Sequence, residues 1–178
     1  MPFLTLSLFL AIALNAYHFW PRAGVGKNNL VKQKNYGAYC VGEERPDSCY
    51  WFDEQGIVWN EAKTIVDERL LKIEEISDFQ PSRGQSFLSK ELIVNLIKIL
   101  DFFRSSRVLA ESIKLKRDDQ ELEAMANYPE TGLKTRVLFN LRFNPQNNLT
   151  GLTVFLKKYK PKDLEYIDLR VENKIFYK

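Results

Sequence analysis

The chain has 178 residues, with 26 Lys plus Arg against 23 Asp plus Glu, a net charge of +3. At 45% hydrophobic and 13% aromatic it can bury a core, which argues against disorder as its main state. A charge of +3 spread over this length is no nucleic-acid footprint, and one His with two Cys leaves little room for protein-only zinc sites or histidine-rich catalysis.

Residues 3–20 carry no charge, and only Thr5, Ser7, Asn15 and His18 among them are polar. A helix over this run spans roughly 27 Å, close to a bilayer's hydrocarbon core. Tyr17, Phe19 and Trp20 suit the aromatic belt of a membrane surface, and Pro21 would end the helix. The run is read as a membrane anchor over residues 1–20. A signal peptide cleaved near Ala11-Ile12-Ala13 and a buried apolar helix are the alternatives, the former without a basic start. His18, alone in this apolar run, reads as an interfacial residue and not as a ligand.

Orientation is contradictory. Arg22, Lys27, Lys32 and Lys34 follow the run and, by the positive-inside rule, place the body in the cytoplasm. Cys40 and Cys49 oppose this. They flank a loop containing Gly42, Pro46 and Asp47, which reads as a hairpin with neighbouring thiols. The functional reading is a cross-strand disulfide outside the cytoplasm, with Cα atoms about 4.4–6.8 Å apart; two buried free thiols are the alternative.

Beyond this point, aromatic and β-branched runs at 50–52 and 57–59 surround Asp53-Glu54-Gln55-Gly56, a tight-turn sequence. A strand is expected over 70–76 and a loop over 80–84. Residues 89–104 are the clearest helix: Leu92, Ile93, Leu96, Ile97, Leu100 and Phe103 recur at three and four, with Ser89 as cap. Ile113 and Leu115 mark a strand, 121–125 another, and 133–143 alternates cleanly. Leu149, Leu152, Phe155, Leu156 and Tyr159 form a second helical stripe. Strands over 165–171 and 175–177, joined by Glu172-Asn173-Lys174, close the chain. The pattern predicts an α+β fold: an antiparallel-rich mixed sheet packed by two helices and closed by a C-terminal β-hairpin.

Chemistry is sparse. The sequence has no Walker loop, Gly-x-Gly-x-x-Gly, Gly-x-Ser-x-Gly or His-Glu-x-x-His motif. Asp53-Glu54 is the only pair entertained as acid and base, for a carboxylate-dependent hydrolase, against the blander reading of turn residues. Asp118-Asp119 reads the same way. Lys157, Lys158 and Lys160 complement a helix dipole. Asn148-Leu149-Thr150 is a sequon, relevant only in a eukaryotic secretory setting.

Two stretches carry a resemblance. One runs from Asn35-Tyr36-Gly37-Ala38-Tyr39-Cys40 through Cys49-Tyr50-Trp51-Phe52-Asp53-Glu54-Gln55-Gly56-Ile57-Val58-Trp59. The other is the C-terminal stretch around Tyr166-Ile167-Asp168-Leu169-Arg170. Together they resemble the extracytoplasmic β domain of the FtsQ/DivIB family of bacterial cell-division proteins. The resemblance implies a single-pass plasma-membrane protein at the division septum: a non-enzymatic scaffold that binds FtsB and FtsL and regulates septal peptidoglycan synthesis. It implies no cofactor, metal, small-molecule substrate or nucleic acid. Residues 36–178 would be the β domain. Residues 21–35 form a linker or remnant, too short for the family's POTRA domain.

In the family the partner docks along the closing strand pair. The corresponding residues here are Val171, Ile175, Phe176 and Tyr177, with Val171 standing where some relatives carry an aromatic anchor. Asp168 and Arg170 are read as a structural ion pair. An envelope-assembly module of another kind, also using strand addition, is a further alternative.

Overall fold

The computed structural model describes residues 35–44, 48–62, 71–129, 132–159 and 164–178, all within one compact unit, Lys34–Lys178. The expected apolar helix, the linker as far as Lys34, His18, Pro46, Asp47 and Lys160 lie outside the described residues. Among those residues no helix is long and apolar enough to cross a membrane.

Extended segments form strands β1 (Gly37–Gly42), β2 (Ser48–Phe52), β3 (Val58–Glu61) and β4 (Lys72–Ile76). They continue as β5 (Leu109–Lys116), β6 (Glu121–Tyr128), β7 (Leu133–Asn140), β8 (Tyr166–Leu169) and β9 (Phe176–Tyr177). Two helices, α1 (Lys90–Ser105) and α2 (Gln146–Tyr159), interrupt them. The fold is α+β, with one mixed sheet in the order β3-β2-β1-β4-β5-β6-β7-β8-β9. The β1·β4, β4·β5 and β7·β8 pairings are parallel, the other neighbours antiparallel. Parallel neighbours need long crossovers. Helix α1 lies in the β4–β5 connection and α2 in the β7–β8 connection.

Register sorts the side chains into two rows. Tyr39, Ile73, Ile113, Ala124, Val137, Ile167 and Tyr177 align across neighbouring strands. All are buried except the last. This face carries the core, where Ile93, Leu96, Ile99, Leu100 and Phe103 of α1 and Leu149, Leu152 and Phe155 of α2 are buried. Each such side chain contributes about 1.5–3 kcal/mol. One residue over, Cys40, Glu74, Lys114, Glu123, Leu138, Asp168 and Phe176 align on the other face. That row is largely polar and alternates in charge at its centre.

A buried polar knot ties β1, β4 and the end of β5. Glu75, 2% exposed, accepts bonds from the Tyr39 hydroxyl at 2.7 Å, the Ser77 hydroxyl at 2.7 Å and Arg117 Nε at 2.7 Å. Arg117 also donates to the Phe87 carbonyl and stacks over the Phe79 ring. Burial, then the Glu75 carboxylate, pushes the Tyr39 phenol above its ordinary value. No sequence feature announced this knot.

Several boundaries differ from expectation. The strand expected over 133–143 stops at Asn140, whose Oδ1 takes the Arg142 N–H, while Leu141 N–H turns to the Gln120 carbonyl. The strand expected over 121–125 runs on to Tyr128 because Ala126 and Tyr128 keep the buried alternation. Ser89 sits at the N-cap of α1 but makes no side-chain cap bond.

Candidate interaction edge

The closing hairpin has a short ladder and an elaborate turn. Ile167 and Leu169 of β8 alternate inward and are buried. The turn is held from outside by α2. Asn148, 2% exposed, aims its Nδ2 at the carbonyls of Leu169 (3.0 Å), Val171 (2.9 Å) and Lys174 (3.3 Å). Its Oδ1 accepts the Asn173 N–H at 2.7 Å. Asn173 adopts φ 58, a left-handed conformation that Asn tolerates better than most residues, and its Oδ1 accepts a bond from Asn147. The sequon asparagine is therefore a buried clamp, with its nitrogen committed to the turn.

Arg170 grips Asp168 with both ends of its fork, at 3.0 Å from Nε and 2.7 Å from Nη2, and reaches Glu121 at 3.1 Å. The Arg170 side chain and backbone bonds hold the Asp168 carboxyl below its ordinary value. Asp168, then Glu121, raises Arg170. This cluster pins β8 to β6.

Among the described residues, strand β9 pairs only with β8 and ends the sheet. Tyr166 and Lys178 exchange backbone bonds, with Lys178 N–H donating at 3.2 Å and Tyr166 N–H at 3.3 Å. Antiparallel alternation then turns the N–H and C=O of Tyr177 to the outer edge. The Tyr177 ring leans on Phe155 at 4.8 Å, and Ile175 packs over Gly151, where an added Cβ would stand 3.2 Å from the Ile175 Cδ1. Phe176 projects from the opposite face. Phe176 is 49% exposed, Tyr177 55% and Val171 44%.

Not all four expected contact residues share one surface. Ile175 is partly buried under α2 and precedes the strand, which begins at Phe176. Val171 stands in the turn, off the strand.

No protein-family model and no curated protein matches this chain.

The remaining candidates resolve locally. Cys40 and Cys49 are direct cross-strand partners joined by a disulfide, with Cα atoms 4.0 Å apart, slightly closer than the range expected. Asp53 Oδ1 accepts the N–H groups of Gln55 at 3.0 Å and Ile57 at 2.9 Å, so the carboxylate organises its own turn. Glu54 accepts from the Gln55 side chain. Neither lines the open cleft of about 510 Å³ formed by Tyr50, Trp51, Trp59, Glu61, Pro81 and Arg83, with Val58 and Asn60. Asp118 and Asp119 occupy an exposed turn, and Lys157 and Lys158 the exposed last turn of α2. Among the described residues no group of three His, Cys, Asp or Glu can hold a metal.

The far edge is treated differently. On β3, Val58 N–H donates to the Gln85 carbonyl and its C=O accepts from Gly84, so a loop covers the strand there. Ile57 bridges Ser86 beside it. The β9 edge has no such cover among the described residues.

Proposed function

We propose that this chain is a non-enzymatic interaction scaffold of the bacterial division machinery, acting in the manner of the FtsQ/DivIB β domain. It takes up an extended segment of an FtsB- or FtsL-like partner along the outer edge of β9, and so helps assemble and regulate septal peptidoglycan synthesis. The observation that carries this reading is the edge of β9, uncovered among the described residues, with outward backbone groups at Tyr177 and exposed aromatic rings on both faces. Main-chain bonds supply the affinity, and the Phe176 and Tyr177 side chains the selectivity.

The Cys40–Cys49 disulfide supports an oxidising, extracytoplasmic setting for the sheet, with residues 1–20 as the anchor in the plasma membrane. The resemblance in residues 35–59 and 164–178 supports the family assignment.

Two variants test the reading by partner pull-down. Deleting residues 175–178 removes β9. Tyr177→Pro removes the outward N–H together with the phenol ring that leans on Phe155, at an edge position where proline is tolerated. Both should abolish binding of an FtsB-like partner while circular dichroism of Tyr177→Pro stays native. Unchanged affinity in both would place the partner surface elsewhere.

A further inference from the structure

An uncovered apolar edge invites pairing with a second copy of itself. Two β9 strands related by a two-fold axis at Phe176 would run antiparallel. Ile175 of one copy would then face Tyr177 of the other, where the outward backbone groups lie. That register has a consequence at its ends. Lys174 of each copy falls directly opposite Lys178 of the other, giving two like-charge cross-strand pairs, which are destabilising.

The two lysines are not equivalent. Lys178 already has Glu165 at 2.9 Å, although both side chains are well exposed, so screening leaves the pair weak. Lys174 has no ion-pair partner among the described residues, and its backbone is fixed by Asn148 through its carbonyl. Its backbone is therefore fixed beside the edge, and its ammonium is within reach of a charge on an added strand.

We infer that the β9 edge is gated by charge: Lys174 disfavours a second copy of this chain and selects an extended partner segment carrying a carboxylate at the position opposite it. This rests on the edge being the docking surface, and it adds the chemistry of the occupant. The occupant is an extended peptide segment, apolar where it faces Tyr177 and Phe155, and acidic where it passes Lys174. Selection works in both directions, by repulsion of the wrong strand and attraction of the right one.

Lys174→Glu separates the possibilities. In the two-fold register this change turns both like-charge pairs into opposite-charge pairs. The full chain in detergent solution should therefore self-associate roughly tenfold more tightly than the unsubstituted chain by sedimentation equilibrium. Adding Tyr177→Pro to Lys174→Glu should return association to the original level. The second arm uses two synthetic extended peptides, identical except for Glu or Lys at the flanking position. The Glu peptide should bind the unsubstituted chain more tightly, and the order should reverse for Lys174→Glu. Unchanged self-association in Lys174→Glu, or a peptide order that does not reverse, overturns the inference. Equal binding of both peptides that Tyr177→Pro abolishes would overturn charge selection while leaving edge docking intact.

Discussion

Asn148 Oδ1 accepts the backbone N–H of Asn173 at 2.7 Å, across 25 residues of sequence. One side chain from the first turn of α2 thereby sets the shape of the hairpin turn that presents β9. Asn148→Ala strips the Asn173 N–H and three carbonyls of their partner in a buried site. We expect a loss of about 2–3 kcal/mol in urea unfolding. Asn148→Asp is an informative companion, since it retains the acceptor for Asn173 but not the donors.

The Glu75–Arg117 pair lies at the other end of the helix-covered face, where Glu75 is 2% exposed. Arg117→Ala leaves that carboxylate buried with only hydroxyl partners, Tyr39 and Ser77. Breaking a buried pair from one side typically costs about 3–5 kcal/mol, so this variant should be among the least stable single substitutions. Replacing both Glu75 and Arg117 by apolar residues of similar size should recover much of the loss. Thermal melts of the single and double variants check both statements.

Acid should loosen the hairpin through Asp168. Its folded-state carboxyl is held below its ordinary value by Arg170, so its contribution is complete above the unfolded value of about pH 4. That contribution is lost as pH falls through the folded value. In Asp168→Asn the corresponding slope of stability against pH should be shallower below about pH 4. An unchanged slope would show that Arg170 does not hold the charge of Asp168.

Legibility in the sequence followed the range of the interaction. The alternation at Thr135, Val137 and Phe139 and the stripe Ile93, Leu96, Leu100, Phe103 are local patterns, and they marked the buried faces of β7 and α1. Cys40 and Cys49 were readable as partners because a short loop returns one strand beside the other. Asn148 was not readable: in the sequence it stands out only as a sequon residue, while its partners lie 21 to 26 residues away. Glu75 and Arg117 are 42 residues apart, and nothing near either signals the other. Ile99 escaped the helical stripe because Ile97 masked the phase of the buried face. The closing hairpin was legible from its Glu172-Asn173-Lys174 turn, but the turning of Ile175 under α2 depended on Gly151, a contact made only in the folded chain.

The most direct measurement is amide hydrogen exchange at Tyr177 with and without an FtsB-like partner. In the isolated chain its N–H points away from β8 and has no partner among the described residues, so it should exchange quickly while that of Lys178, bonded to the Tyr166 carbonyl at 3.2 Å, is slower. Strand addition should protect Tyr177 by at least about tenfold when the partner is saturating. A partner that binds fully while Tyr177 continues to exchange at its free rate would contradict docking at this edge.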